Sequence, residues 1–254
     1  FALPLCREDS VIRLTTPLES AGYVDMTLAA LRHAGITIET ITDGWRIPGG
    51  QAYRPADYTV EADWSQAAFL LAAGALAGDV QLCGLSLPSA QGDSAALDLF
   101  RRFGADITVD TYGIRCRRAP LYGIDIDAAQ IPDLVPILAI TAAFAKGTTR
   151  IFHAERLRIK ESDRLAAVAD GLKRLGAQVA ETADGLRIDG GRLLNGGEVD
   201  GCNDHRIVMS MAVAALRCTG PVTIQDAQSV AKSWPDFFTD FTHLGGNAHV
   251  FDHR

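Results

Sequence analysis

An internal repeat of about 70 residues constrains the fold of this chain more than any other feature of its sequence. The first repeated phrase ends an amphipathic helix at a glycine, passes through a polar turn, and resumes as Gly, an apolar residue, Arg and a second apolar residue. Its three copies begin at Leu31, Phe100 and Leu172, and a partial fourth copy spans 244–250. Each full copy predicts a half-exposed helix followed by a two-stranded hairpin.

A second phrase alternates with the first at the same period. An aspartate opens a segment of small apolar residues, which ends at a glycine and leads into a strand-like segment; the aspartates are Asp63, Asp133 and Asp204. A helix that is apolar all round is buried, so these segments predict inner helices, and the basic helices of the first phrase are outer ones. The residues predict an α/β fold with pseudo-threefold units of inner helix, strand, outer helix and hairpin.

Units of this kind cannot bury their apolar faces alone and should pack in groups. The turn formers of 53–58 mark the predicted hinge between two groups. At the start of the chain, Phe1–Leu5 resembles the tail of an inner helix and Asp9–Leu14 the strand that follows one. We therefore expect the sequence to be a fragment that begins partway through a unit.

Composition narrows the class of protein. The 254 residues carry a net charge of −7, which disfavours a nucleic-acid or membrane-surface partner. The apolar run 69–77 is too short to span a membrane. Five widely spaced cysteines predict neither disulfides nor a zinc site, the histidines show no metal-ligand spacing, and the expected location is the cytoplasm.

The charged heptad Arg158–Arg164 is the first candidate for a functional site. It leads into an amphipathic outer helix, for which Ser162 or Glu161 is a plausible N-cap. Lys160 and Arg164 are misplaced there, because cations at a helix N-terminus oppose the macrodipole. An anionic ligand would explain them; the alternative is a solvated charged loop.

Further charged residues mark the starts of other predicted helices. Asn203–Arg206 places a histidine and an arginine at the start of an inner helix, and Lys232 precedes an outer helix that a proline introduces. Helix N-termini favour anions, so the set fits chemistry on a phosphate- or carboxylate-bearing small molecule. The alternatives are that Asp133 is a plain N-cap, that His205 bonds a loop, and that Lys232 is solvated.

Several motifs, taken in order and with their gaps, resemble the 5-enolpyruvylshikimate-3-phosphate (EPSP) synthase family. They are Arg158–Arg164, Asn203–Arg206, Ala231–Asp236, Glu19–Thr27, Val60–Ser65 and Gln91–Asp93. The resemblance implies six βαβαββ units in two domains of three, with 1–60 as the end of one domain and 61–254 as most of the other. It also implies that roughly the first two fifths of a family member is absent, and that no metal or other cofactor takes part.

The activity implied is transfer of the enolpyruvyl group from phosphoenolpyruvate to the 5-hydroxyl of shikimate 3-phosphate, with release of phosphate. By resemblance, Arg164, Arg206 and Lys232 bind phosphoenolpyruvate. Shikimate 3-phosphate is expected to contact Ser20, Tyr23, Asp133 and Lys160. The expected catalytic residues are Asp133 as the base toward the hydroxyl, Glu161 toward the methylene carbon, Lys160 in proton transfer, and His205 beside the anion clamp.

Two departures bear on these assignments. Gly22 stands where many family members carry proline, which affects the placement of the Ser20–Tyr23 loop. The expected partner of the site is the absent N-terminal segment of the same protein, so the chain alone is predicted to be inactive and the complete protein to be a monomer. Two alternatives stay open: the related UDP-N-acetylglucosamine enolpyruvyl transferase, and a non-catalytic repeat scaffold.

Overall fold

The computed structural model describes residues 1–251; the last three residues of the predicted second domain, 252–254, lie outside the described residues. Its α-helices are α1 (Ala21–His33), α2 (Trp64–Ala77), α3 (Ala96–Phe103), α4 (Val135–Phe144), α5 (Arg164–Arg174), α6 (His205–Ala215) and α7 (Phe237–His243). Its strands are β1 (Ser10–Arg13), β2 (Glu39–Ile41), β3 (Gly44–Ile47), β4 (Asp79–Leu82), β5 (Asp106–Asp110), β6 (Gly113–Arg117), β7 (Asp125–Asp127), β8 (Gly147–Phe152), β9 (Gln178–Glu181), β10 (Leu186–Gly190), β11 (Gly197–Val199) and β12 (Val222–Ile224).

Three helices, α2, α4 and α6, form the centre of the molecule, and each contacts the other two. Every residue of α4 except Phe144 is buried. The predicted inner helices and their pseudo-threefold packing are confirmed. Because small residues such as alanine line these helices, their axes can approach closely while the core stays dense.

The outer helices cover the core with one face only. In α5 the apolar stripe Leu165, Val168 and Leu172 is fully buried, while Asp170 and Arg174 pair on the exposed side. The predicted hairpins follow α1, α3 and α5 as β2–β3, β5–β6 and β9–β10, all antiparallel. Each hairpin pairs with the strand that precedes its outer helix, namely β1, β4 or β8. The resulting strand orders are β1-β3-β2, β4-β6-β5 and β7-β8-β10-β9.

Two short strands complete the units. β7 precedes α4 and pairs in parallel with β8, and β11 precedes α6 and pairs in parallel with β12. Residues 125–190 therefore form one full βαβαββ unit, as the family resemblance implies. The repeat alone gave a unit without this first strand, because three residues are too few to show an alternating pattern.

The ends of the chain keep parts of the repeat. Phe1–Leu5 contains only a short 3-10 helix at Leu3–Leu5, while the strand expected within Asp9–Leu14 is β1. The partial fourth copy retains its glycine turn at Gly245, with φ of 97°, but 244–251 contain no strand.

The predicted hinge 53–58 lies in a stretch, 51–63, that has no regular secondary structure. The division into domains 1–60 and 61–254 stays a prediction. No helix within 1–251 is long and apolar enough to cross a membrane.

Candidate functional site

The heptad Arg158–Arg164 lies between two helices. A 3-10 helix, Glu155–Ile159, precedes it, and α5 begins at Arg164. The N-cap is Asp163, whose carboxylate accepts the backbone N–H of Ala166 at 3.1 Å. The expectation of a Ser162 or Glu161 cap is wrong, because Ser162 instead donates its hydroxyl to Asp204 at 3.0 Å.

Arg164 is buried, with 1% of its surface exposed. Its Nε donates to Asp204 at 2.8 Å, one terminal nitrogen donates to Asp133 at 2.8 Å, and the other donates to Glu161 at 2.7 Å. A buried guanidinium requires such partners, because desolvation alone would cost several kcal/mol. Arg164 therefore joins the starts of α4 and α6.

Asp133 is the centre of the cluster. Besides Arg164, it faces Lys160 Nζ at 3.4 Å, an Arg206 terminal nitrogen at 3.5 Å and the Tyr23 hydroxyl at 3.1 Å. Burial pushes the pKa of Asp133 up, but the positive charges of Arg206, Lys160 and Arg164 outweigh burial and hold the pKa below its usual value. Asp133 is consequently ionised at neutral pH.

Asp133 is not the N-cap of α4. It lies in the 3-10 helix Pro132–Leu134 that leads into α4, and the structure shows no side-chain cap there. Its equivalents do cap their helices: Asp63 accepts the backbone N–H of Ser65 at 2.7 Å, and Asp204 accepts that of Arg206 at 2.9 Å. Among the three repeat aspartates, Asp133 alone leaves its carboxylate to side chains.

His205, the first residue of α6, is buried beside the cluster. Its Nδ1 lies 3.8 Å from an Asp204 oxygen and has no hydrogen-bond partner within the described chain. Burial lowers the pKa of His205, and the positive charge of Arg206 lowers it further. The imidazole is therefore neutral at pH 7, with an unsatisfied polar atom near Arg206.

Lys232 reaches the same helix start from the C-terminal side of the chain. It ends a 3-10 helix, Ala227–Lys232, and its Nζ donates to the carbonyl oxygen of Asn203. Asn203 adopts a left-handed conformation with φ of 47°, which turns its carbonyl toward the lysine. Lys232 and Arg206 thus flank the start of α6.

Ser20 and Tyr23 approach the cluster from the start of α1. Ser20 has a left-handed φ of 52°, and its hydroxyl accepts a bond from Arg156 at 3.1 Å. The negative charge of Asp133 and, above all, burial raise the pKa of Tyr23, so the phenol keeps its proton and donates to Asp133. Ser20 and Tyr23, the two site residues predicted in region 1–60, therefore face the cluster around Asp133.

Gly22 allows this approach. A Cβ at Gly22 would lie 2.8 Å from the backbone nitrogen of Gly92, closer than side-chain carbons ordinarily come to backbone. Where many family members carry proline, this chain brings two glycines into contact. The departure noted in the sequence therefore has a steric counterpart in the structure.

The sequence-based assignment missed two residues at the site. Arg156 binds Ser20 and forms an ion pair with Glu19 at 2.7 Å; only its position four residues before Lys160 hinted at this. Asp93 is buried and accepts the Ser65 hydroxyl, and burial raises its pKa. Asp93 belongs to the Gln91–Asp93 motif, which contributed to the family resemblance, but the sequence predicted no role for it.

Within 1–251, no group of three or more His, Cys, Asp or Glu side chains is arranged to hold a metal ion. The cluster instead combines four cations, Lys160, Arg164, Arg206 and Lys232, with carboxylates. Guanidinium forks bind phosphate and carboxylate in a bidentate way. The arrangement is therefore suited to holding a small anion beside an ionised aspartate.

Comparison with known proteins gives the same identification as the motifs. The family profile described as EPSP synthase (3-phosphoshikimate 1-carboxyvinyltransferase) matches residues 1–241. A curated relative, 3-phosphoshikimate 1-carboxyvinyltransferase from Clostridium acetobutylicum, is 48% identical over 250 residues, which cover 98% of this chain and 58% of that protein. The chain thus spans somewhat more than half the length of the curated relatives that it matches.

Solved structures agree with the fold. EPSP synthase from Acinetobacter baumannii superposes with a TM-score of 0.87 at 29% identity, over 99% of this chain and 60% of that one. The enolpyruvyl transferase NikO from Streptomyces tendae gives a TM-score of 0.74 at 23% identity, over 96% of this chain and 57% of that one, a likeness of fold alone. With its motifs, its βαβαββ unit and a profile match over 1–241, the chain belongs to the EPSP synthase family.

Proposed function

We propose that the protein carrying this chain, at the length of its relatives, is a 3-phosphoshikimate 1-carboxyvinyltransferase. It would join phosphoenolpyruvate to the 5-hydroxyl of shikimate 3-phosphate and release phosphate. The observation that carries the proposal is the ionised Asp133 facing Lys160, Arg164 and Arg206 where inner helices begin. The Clostridium acetobutylicum relative, named as a 3-phosphoshikimate 1-carboxyvinyltransferase, supports the same reaction.

The anion clamp in this proposal consists of Arg206, Lys232 and Arg164. Arg206 has 11% of its side chain exposed and makes only long contacts to Asp133, at 3.3 and 3.5 Å. It can therefore turn to an incoming phosphate or carboxylate at small cost. Arg164 is satisfied by three carboxylates, so its donors would be shared with the substrate only as those carboxylates move.

Asp133 would accept the proton of the attacking hydroxyl. Three cations lower its pKa in the free protein, which weakens it as a base. When phosphoenolpyruvate neutralises Arg206, part of that stabilisation of the carboxylate is lost and the pKa of Asp133 rises. Binding of the second substrate would thus activate the base that acts on the first.

Glu161 would exchange protons with the methylene carbon. One oxygen accepts a bond from Arg164, and 42% of the side chain is exposed toward solvent. Addition forms a bond from the hydroxyl oxygen to C2 of phosphoenolpyruvate; the hydroxyl proton passes to Asp133, and C3 gains a proton from Glu161 and becomes a methyl group. Elimination removes a proton from C3 to Glu161, breaks the bond to phosphate and restores the double bond.

Lys160, Ser20 and Tyr23 would hold shikimate 3-phosphate beside this centre. Lys160 lies between Asp133 and solvent with 28% of its side chain exposed. Tyr23 already donates to Asp133, so it marks where a substrate hydroxyl can enter. His205, neutral and lacking a partner on Nδ1, is proposed to support the clamp through Arg206. Cytoplasmic location and a monomeric complete protein stay predictions from the sequence.

The test is calorimetric binding of phosphoenolpyruvate to the protein at its relatives' length, with shikimate 3-phosphate present. Arg206→Ala should weaken binding by about tenfold or more, because one charge-assisted bidentate contact is lost. Arg101→Ala, an exposed arginine on α3, is the control and should bind as wild type does. Equal affinities for wild type and Arg206→Ala would favour the scaffold alternative.

The choice of acceptor substrate distinguishes the proposed activity from that of the related UDP-N-acetylglucosamine enolpyruvyl transferase. Phosphate release that requires shikimate 3-phosphate supports the proposal, whereas release that requires UDP-N-acetylglucosamine would support the sister transferase. The comparisons do not favour that alternative, since the family and the Clostridium relative are both named for the reaction with 3-phosphoshikimate.

A further inference from the structure

A second group of cations surrounds a pocket at the far ends of the inner helices. The pocket has a volume of about 470 Å³ and is lined by Arg118, Lys146 and Arg217, together with apolar residues that include Leu121 and Phe144. The cleft described above lies where these helices begin. The pocket lies where they end, so the two places are on opposite sides of the helical core.

Each cation belongs to the end of one inner helix. Lys146 follows α4 by two residues, and Arg217 follows α6 by two. Arg118 follows β6, and its backbone N–H donates to Gly78, the C-cap of α2, at 2.9 Å. The pseudo-threefold arrangement of the helices thus brings three positive side chains to one point.

The helix ends themselves attract cations, but not enough to balance these three. Each helix C-terminus carries about half a negative charge, so three contribute about −1.5 against three full positive charges. No Asp or Glu lines the pocket, and within 1–251 none of the three cations forms an ion pair. A positive excess is left over.

The excess of positive charge acts on Arg217. Its guanidinium is partly buried and donates to the carbonyl oxygen of Leu76 at 3.1 Å, which fixes it in the wall of the pocket. Burial lowers the pKa of Arg217, and the positive charge of Arg118 lowers it further. A negatively charged ligand would relieve this repulsion.

We propose that the pocket binds a small phosphate-bearing anion at a site separate from the cleft. Two guanidinium groups and one ammonium group match a phosphate group, and Leu121 and Phe144 give an apolar wall for an organic substituent. Arg118 and Lys146 are exposed and free to close on the ligand. The proposal does not depend on the proposed function.

The probe is inorganic pyrophosphate, titrated calorimetrically into the purified chain at constant ionic strength. Since the cleft also holds cations, every titration uses an Arg206→Gln background. The double variant Arg118→Gln, Lys146→Gln should bind pyrophosphate at least about tenfold more weakly, because two charge-assisted contacts are lost. Lys146→Gln alone should show part of that loss.

Arg101→Gln is the control, since it removes the same charge from an exposed position on α3. Its affinity should equal that of the background. Pyrophosphate should also raise the midpoint temperature of thermal unfolding in the Arg206→Gln background but not in the double variant, because a ligand that binds the folded state stabilises it. Absence of binding in the background, or equal weakening by Arg101→Gln and Lys146→Gln, would overturn the proposal.

Discussion

At the scale of residues, the site depends on which aspartate carboxylates do not cap a helix by accepting backbone N–H groups. Asp63 and Asp204 cap helices, and Asp204 also holds Arg164, whereas Asp133 faces three cations. Three successive periods of the repeat therefore supply three equivalent aspartates that have different roles. Their neighbours, not their positions in the repeat, decide which one is available for chemistry.

Removing Arg164 should destabilise the fold strongly. Arg164→Leu leaves Asp204, which is fully buried, and Asp133 without their main partner, and breaking a buried pair in this way costs about 3–5 kcal/mol. Urea unfolding measures the loss. Arg174→Leu, which breaks an exposed pair with Asp170 on the same helix, should leave stability almost unchanged. Similar losses in both variants would contradict this account of the cluster.

Two buried aspartates should respond to pH in opposite ways. The pKa of Asp204 is lowered against burial by its bonds to Arg164, so its contribution to stability is present above the unfolded value of 3.8 and is lost as the pH falls through the folded pKa. Burial raises the pKa of Asp93, so its ionised form costs stability, and acidification toward 3.8 relieves that cost.

Urea midpoints between pH 3 and pH 7 test this pair. At pH 7, Asp204→Asn should be less stable than wild type, and Asp93→Asn should be as stable or more stable. Both differences should shrink toward pH 3. A destabilised Asp93→Asn at pH 7 would show that its carboxylate is needed in ionised form.

The sequence could identify most of the candidate residues but not their contacts. Cations at helix starts oppose the helix macrodipole, and this conflict marked Lys160, Arg164 and Arg206 as candidates. That Arg164 is buried among carboxylates, or that Arg156 binds Ser20, depends on distances between residues far apart in the chain. Such pairs leave no periodic signal in a single sequence.

At the scale of elements, periodicity predicted the inner helices, the outer helices and the hairpins. It missed β7 and β11, because strands of three residues show no alternation and gain their place only by pairing with β8 and β12. It also placed Asp133 at the start of α4 as if it were Asp63, although a 3-10 turn comes between. Short elements are set by tertiary pairing rather than by local pattern.

Close packing of α2 should make Gly74 more sensitive than Gly171. A Cβ at Gly74 would lie 2.6 Å from the Cys116 carbonyl oxygen in β6, whereas one at Gly171 would meet the flexible end of Met211. Gly74→Ala should cost about 1–3 kcal/mol through overpacking. Gly171→Ala should be nearly neutral, since the better helix propensity of alanine offsets the strain. Equal urea midpoints would contradict the packing argument.

At the scale of the whole molecule, region 1–60 meets the rest of the chain partly through polar contacts at the site. They join Glu19 and Ser20 to Arg156, Ala21 to Gln130, and Tyr23 to Asp133. Arg156 thus lies where region 1–60 meets the cluster around Asp133.

Arg156 should accordingly affect substrate binding more than stability. In the protein at its relatives' length, Arg156→Ala should raise KM for shikimate 3-phosphate by about tenfold through lost charge-assisted contacts, with a smaller effect on kcat. Thermal unfolding should change little, because 38% of its side chain is exposed. Arg101→Ala should change neither constant. An unchanged KM would contradict a role for Arg156 in binding shikimate 3-phosphate.

The central claim is that Asp133, and not its equivalents in the repeat, carries the chemistry. The most direct measurement is the turnover of phosphoenolpyruvate and shikimate 3-phosphate by Asp133→Asn in the protein at its relatives' length, with Asp170→Asn as an exposed control. Turnover should fall by about a hundredfold or more, as for loss of a general base, while circular dichroism shows that the variant is folded at the assay temperature. Turnover by Asp133→Asn at the rate of the control would contradict the account.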